Sequence, residues 1–206
     1  MFEYKTVEKA AVAEFTEKKS RFIGYVCPVK TAEEAQNFIT EVRSKNREAT
    51  HNVPAYVLRE NNIQRCSDDG EPSGTAGVPV LDVILKNEVK DVCVVVTRYF
   101  GGVLLGAGGL VRAYSHGSKI ALEAGGIITL APCAVLQVEA DYSFYERIRV
   151  MLEDNSANIE DCIFSDNVKI IFSIRDTRVD DISQKLNELS NGKYSFVKIG
   201  EKYAKV

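Results

Sequence analysis

No two of the five cysteines stand at CxxC spacing: Cys27, Cys66, Cys93, Cys133 and Cys162 are scattered along the 206 residues. An odd, unclustered set argues against a disulfide framework and a structural zinc site, and leaves reduced, partly buried thiols. Long apolar runs are missing too. The longest stretches, such as Val92–Thr97, are strand-sized and far short of the roughly 20 residues that a membrane helix needs. The start, Met1-Phe2-Glu3-Tyr4-Lys5, leads into mixed charge and not into the apolar core of a signal peptide. The expectation is a soluble, cytoplasmic protein with no membrane contact.

Histidine is nearly absent, with only His51 and His116. A pair such as His51 with Cys66 is arithmetically available, but nothing in the sequence brings the two within the roughly 3 Å that nucleophilic catalysis demands. His51, just ahead of Asn52-Val53-Pro54-Ala55-Tyr56, also fits a strand-entry residue hydrogen-bonded to backbone. No catalytic set emerges. Excess positive charge is lacking as well. The formal charge is −3, and residues 133–206, with 10 Lys and Arg against 13 Asp and Glu, account for all of it. Proteins that live by phosphate contacts are usually basic, so nucleic-acid binding would need a local patch.

What is present divides near Ala131-Pro132-Cys133 into residues 1–131 and 132–206, with no repeat and no low-complexity linker. In the second part Ala134–Asp141 alternates as a strand. Ser143 with Glu146 reads as a capping box before a helix. Ala157–Phe164 and Val168–Arg175 read as two strands around a short polar turn, and Thr177 as the cap of a second helix that ends at Asn191-Gly192. Tyr194–Ile199 reads as a last strand. The order βαββαβ is the split βαβ arrangement of ferredoxin-like folds.

The first part is mixed as well. Ala11–Thr16 and Arg21–Val29 read as a hairpin, and Thr31 with Glu34 as a capping box before a helix. Val53–Arg59 and Ile63–Ser67 are strand candidates, and Gly74–Leu85 a helix provided Pro79 lies in its first turn. Val92–Tyr99, a β-branched run, predicts a central buried strand, and Gly108–Gly125 a helix. The fold class is α+β.

Two segments carry the density of polar and glycine residues that sites need. In Ser67-Asp68-Asp69-Gly70-Glu71-Pro72-Ser73-Gly74-Thr75-Ala76-Gly77, the carboxylates of Asp68, Asp69 and Glu71 can hold a hard cation or offer acceptors to a ligand or basic partner. The same residues also fit a solvated turn that caps the next helix, with Ser73 as N-cap. In Thr97-Arg98-Tyr99-Phe100-Gly101-Gly102-Val103-Leu104-Leu105-Gly106-Ala107-Gly108-Gly109-Leu110-Val111-Arg112-Ala113-Tyr114, a strand passes through glycines into a helix. Helix N-terminal amides attract anions, and Arg98 and Arg112 flank the loop. The dinucleotide fingerprint GxGxxG and the Walker Lys-Ser/Thr are both absent. Gly101, Gly102, Gly106, Gly108 and Gly109 equally serve tight packing, with Tyr99 and Phe100 in the core.

These two segments, SDDGEPSGTAG (Ser67–Gly77) and TRYFGGVLLGAGGLVRAY (Thr97–Tyr114), closely resemble the signature of the YigZ/IMPACT family. His51 followed by Ala55-Tyr56 fits too, although Asn52-Val53-Pro54 stands where many members carry a cysteine-containing stretch, and Leu104 replaces a common Lys. The resemblance implies a fold similar to domain 2 of ribosomal protein S5 for residues 1–131. For residues 132–206 it implies a ferredoxin-like domain similar to domain V of elongation factor G. Eukaryotic relatives regulate translation initiation under amino-acid starvation by binding the activator of the general-control kinase. The resemblance therefore implies a non-catalytic binding protein linked to regulation of translation, with ribosome, RNA or a factor as partner. Its contact residues would be Asp68, Asp69, Glu71, Ser73, Arg98, Tyr99, Phe100, Arg112, His51 and the loop glycines. No cofactor and no metal are expected. The alternatives are a small enzyme or binding protein for a phosphorylated or nucleotide ligand, held by the glycine loop and acidic turn, and a scaffold in which both segments are structural.

Overall fold

The computed structural model describes residues 2–205. The chain divides into two compact units: one spans Tyr4–Thr129, and the other takes the chain from Leu130 onward together with Phe2 and Glu3.

The first unit is built on a five-stranded sheet. Its strands are β2 (Ala11–Glu17), β3 (Ser20–Pro28), β4 (His51–Val57), β5 (Gln64–Cys66) and β6 (Val92–Tyr99), in the order β2-β3-β6-β4-β5. The short β1 (Tyr4–Val7) precedes them. Every pairing within this sheet is antiparallel. The central β6 shows why the run Val-Cys-Val-Val-Val is required. Val92, Val94 and Val96 join the core formed with α2 (Gly77–Lys86) and α3 (Ala107–Gly125). Cys93 and Val95 join a second core formed with α1 (Ala32–Lys45). A strand covered by helices on both faces has no room for polar alternation, so its side chains are apolar at both parities.

Local chemistry sets the element ends. The hairpin of β2 and β3 turns at Lys18 and Lys19, both at positive φ. Thr31 Oγ1 accepts from the Glu34 amide at 3.1 Å, while the Glu34 carboxylate accepts from the Lys30 amide at 2.6 Å, which satisfies two otherwise orphan donors at the start of α1. Pro79 sits in the first turn of α2, where its missing N–H costs nothing.

The second unit has the order β7 (Ile127–Ala140), α4 (Tyr142–Asp154), β8 (Asn158–Phe164), β9 (Val168–Arg175), α5 (Val179–Ser190) and β10 (Val197–Lys205). The strands run β10-β7-β9-β8, all antiparallel, which is the ferredoxin-like arrangement. Ile148 and Leu152 of α4 and Ile182 and Leu186 of α5 pack with Leu136, Ile170 and Phe172 on one face of that sheet. α5 ends on Asn191 in the left-handed conformation, followed by Gly192 at φ +78°.

Three helix starts differ from the sequence expectation. Ser73 is not the N-cap of α2: that position is Ala76, and its helix amides are satisfied from a distance by Asp68. Ser143 and Glu146 make no capping box, because the N-cap of α4 is Asp141, two residues earlier, and Glu146 pairs with Arg149 instead. Thr177 lies inside a short 3-10 turn, Asp176–Arg178, so the residue before α5 is Arg178. The last strand starts at Val197, three residues later than Tyr194, whose ring is drawn off to α4 by its phenol bond to Asp141.

Candidate functional site

The acidic turn and the glycine junction converge. Asp69 at φ +48° and Gly70 at φ +88° reverse the chain, and the Glu71 amide donates back to the Asp68 carbonyl at 3.0 Å. A left-handed residue followed by glycine makes such a reversal at low cost. It swings Glu71 inward, where it is 8% exposed. Arg98 meets it there. In β6, Arg98 has the same parity as Val92, Val94 and Val96, so its side chain enters the α2/α3 side of the sheet and is 5% exposed. Arg98 Nη1 donates to Glu71 Oε1 at 2.7 Å, and the Tyr114 hydroxyl of α3 donates to the same oxygen at 2.7 Å.

Burial first, then the hydrogen bond and charge of Glu71, push the Tyr114 phenol far above its ordinary range. His51 Nδ1 lies 2.8 Å from the Asp69 carbonyl, which only accepts, so that nitrogen carries the proton. His51 Nε2 faces Glu71 Oε1 at 3.8 Å, beyond hydrogen-bond reach.

The other two carboxylates are consumed by the fold. Asp68 accepts from the Gly74, Ala76 and Gly77 amides at 2.8, 3.1 and 2.8 Å. Partial burial works to raise its pKa, but those three backbone bonds outweigh it and hold the carboxyl below the ordinary range. Asp69 takes the Asn52 amide at 2.7 Å and Arg43 Nη2 at 2.6 Å, which ties the turn to β4 and α1. Among the described residues no cluster of three or more His, Cys, Asp or Glu is placed to hold a metal ion.

The junction after β6 is fastened at its start. The Phe100 amide donates to Thr50 Oγ1 at 3.1 Å and the Gly101 amide to Ser20 Oγ at 3.2 Å. Gly101 lies so close to the β2–β3 hairpin that a Cβ would sit 1.9 Å from the Lys19 carbonyl oxygen. Beyond it the loop turns outward: Phe100 is 44% and Leu104 82% exposed, with Val103 also open to solvent. Gly106, at φ +72°, then starts α3.

Between loop and turn lies a cavity of about 360 Å3, walled by Phe100, Leu104, Leu105, Gly106, Ala107 and Leu110 on one side and by Thr50, His51, Glu71, Pro72 and Arg98 on the other. The Arg98 guanidinium carbon lies 5.6 Å from the Phe22 ring centre and 5.3 Å from that of Phe100. Its Nε is buried and has no hydrogen-bond partner.

Of the residues singled out in the sequence, His51, Glu71, Arg98, Phe100 and Gly106 line this cavity. Asp68, Asp69, Ser73, Gly101, Gly102, Gly108 and Gly109 lie outside its wall. Tyr99 has the opposite parity and turns to α1, where its hydroxyl donates to Asn46 Oδ1 at 2.9 Å. Arg112 is exposed on α3 and does not join Arg98. The two arginines therefore form no pair of anion anchors. Cys66 is bonded through β5 opposite Ala55, four residues along β4 from His51, and desolvation with the charges of Asp68 and Asp82 raises its thiol pKa. The residue missed in the sequence is Tyr114. Its place on the apolar stripe of α3 hid the one hydroxyl that reaches the buried carboxylate.

An α+β domain with such a buried Glu–Arg–Tyr cluster beneath a glycine-rich junction, followed by a ferredoxin-like domain, is the architecture these segments define. The Impact N-terminal domain family matches residues 18–122, and a domain of unknown function, DUF1949, matches residues 138–193. The chain belongs to the YigZ/IMPACT family. It is 42% identical over 199 residues to the IMPACT family member YvyE of Bacillus subtilis, covering 96% of this chain and 91% of that protein. Protein IMPACT of Mus musculus is 36% identical over 97 residues, covering 44% of this chain and 30% of that protein. A solved structure described as that of a hypothetical protein superposes with a TM-score of 0.62 at 30% identity, covering 97% of this chain and 98% of the other.

Proposed function

We propose that this chain is a non-catalytic binding protein that contacts a protein component of the translation apparatus through the loop Phe100–Leu104. The observation that carries this reading is where the chemistry of the site is spent. Asp68 is held by three backbone amides, Asp69 by Arg43 and the Asn52 amide, and Glu71 by Arg98 and Tyr114. What remains for a partner is apolar: Phe100, Val103 and Leu104 stand in solvent beside the cavity. Exposed aromatic and aliphatic side chains around a pocket are the usual anchors of protein contacts. The link to translation is supported by family membership alone.

The phosphorylated or nucleotide ligand is disfavoured by Glu71. A phosphate in this cavity would face a buried carboxylate that already neutralises Arg98, and like charges in a desolvated site repel strongly. A nucleic-acid partner fares no better at this surface, because neither the loop nor the cavity walls carry unpaired basic side chains grouped together.

The test is co-sedimentation of the intact chain with ribosomes and their associated factors, at low and high salt, beside Leu104→Asp. The reading expects wild-type protein in the pellet at both salt concentrations and its loss with Leu104→Asp. Absence of wild-type protein from the pellet, or unchanged pelleting of Leu104→Asp, overturns it.

A further inference from the structure

We infer that the cleft between α1 and β5 binds a phosphate monoester, held between Arg43 and Arg65 over the Tyr56 hydroxyl. This cleft lies on the α1 face of the five-stranded sheet, whereas the Arg98 cavity lies on the α2/α3 face, so the two sites are separate.

Strand register builds the floor. Tyr56 of β4 stands opposite Cys93 of β6 on one side and opposite Arg65 of β5 on the other. Directly opposed residues share a face of the sheet, and the core that Tyr56 and Cys93 form with Ile39 puts that face under α1. Arg65 therefore projects on the same side, at the open edge, because β5 is the last strand. Gln36, Ile39 and Arg43 recur at helical spacing and form the facing wall. The space enclosed is about 470 Å3, within the roughly 300–1,000 Å3 of ligand pockets.

The first observation is an unspent donor in that floor. Tyr56 is 8% exposed, and among the described residues its hydroxyl has no hydrogen-bond partner. Nor is that oxygen sealed: the fully buried side-chain atoms left without a partner are Arg98 Nε and Asp176 Oδ1. The hydroxyl thus opens on the cleft that Tyr56 helps to wall. A phenol so deep in a fold is normally bonded, and one left free at a cavity marks the place of an acceptor.

The second observation is the sign of the walls. Among the described residues that line the cleft none is Asp or Glu. Arg65 makes no ion pair with a described residue and spends only Nη1, on the Gln64 carbonyl at 2.9 Å. Arg43 gives Nη2 to Asp69 at 2.6 Å and keeps Nη1 and Nε. Ser67 Oγ accepts from the Asp69 amide at 3.2 Å, which leaves its own proton to donate. Asp69 balances Arg43, so Arg65 supplies the excess positive charge. Two guanidiniums, a phenol and a hydroxyl match the three terminal oxygens and near-double charge of a phosphate monoester, whereas a carboxylate leaves donors unmet. Ile39 and Pro54 offer the organic part of the ester an apolar surface.

Isothermal titration of the intact chain at neutral pH and low salt tests this. The probes are phenyl phosphate, benzoate and the tripeptide Ala-phosphoserine-Ala, acetylated and amidated at its ends. Saturable binding of phenyl phosphate is expected, with benzoate about tenfold weaker. Arg65→Gln should weaken phenyl phosphate about tenfold and Tyr56→Phe about fivefold, in proteins that still melt cooperatively. Lys119→Gln removes the same charge from the exposed side of α3 and should leave binding unchanged. No saturable binding of phenyl phosphate, equal binding of benzoate, or an Arg65→Gln or Tyr56→Phe protein that binds as well as Lys119→Gln each overturns the inference. Tighter binding of the phosphoserine tripeptide than of phenyl phosphate assigns the phosphate to a polypeptide, and the reverse assigns it to a small molecule. Co-sedimentation through Leu104 reads the other face of the sheet, so either result can fail without the other.

Discussion

Arg98 and Glu71, 27 positions apart, meet at 2.7 Å, and with Tyr114 they lock the turn before α2 to the strand and helix on either side of the glycine junction. Because both charges are buried, the pair is worth far more intact than broken. Removing one partner strands the other charge, which costs about 3–5 kcal/mol. Arg98→Met is therefore expected to lower unfolding stability by about that amount, and the double variant Arg98→Met with Glu71→Gln to recover a large part of it. Urea denaturation of the four proteins in the cycle measures the coupling. Additive losses would mean that the two residues do not act as a pair.

Tyr114 gives the cluster a pH signature. Its phenol is pushed above the ordinary value of about 10, so its folded-state pKa is raised. The stability it contributes is fully present below the unfolded-state value and is lost as pH climbs from there toward the folded-state one. Tyr114→Phe removes a bond to a charged group and is expected to cost about 1.5–3 kcal/mol at neutral pH. The variant should lose less stability than the wild type between about pH 9 and 11. Denaturation midpoints across that range check the sign.

Asp68 acts in the opposite direction. Its carboxyl is held below the ordinary aspartate value of about 3.9 by the amides at the head of α2. Its contribution is present above the unfolded-state pKa and is lost as pH falls through the folded-state value. Asp68→Ala removes a helix cap and should cost about 0.5–2 kcal/mol at pH 7, a difference that shrinks in acid. Hydrogen exchange should show the loss first at the Gly74, Ala76 and Gly77 amides.

How far the sequence foretold this depends on the range of the forces involved. Thr31 with Glu34, the hairpin ends and the buried run of β6 are governed by neighbours within a few residues, and all were legible. The cap of α2 was not. Asp68 reaches its amides from eight or nine positions away, and a nearer serine offered the simpler reading. The βαββαβ order follows from periodicity, whereas the start of α4 behind Asp141, whose carbonyl takes the Phe144 and Tyr145 amides, and the 3-10 turn ahead of α5 leave no pattern to read.

In the site, the two segments stand out in the sequence, but the fate of their charges does not. The sequence offers Arg98, at the edge of the glycine loop, as an anchor for an outside anion. Yet alternation along Val94-Val95-Val96-Thr97-Arg98 already puts it on the parity of Val94 and Val96, toward the core. A buried arginine requires a buried acid, and Glu71 stood in the other motif. Tyr114, three residues beyond Val111 on α3, carried no mark in the sequence to separate it from the apolar stripe.

On the proposed reading the loop, and not the acidic turn, faces the partner. Site-specific photo-crosslinking decides between them, with a benzophenone side chain placed at Leu104, at the exposed Ser73 of the acidic turn, or at Val12 on β2 in otherwise intact protein within translating cells. A discrete adduct with a translation component is expected from position 104 and none from position 12 or 73. Adducts from position 73 or 12 with none from 104 would overturn the reading.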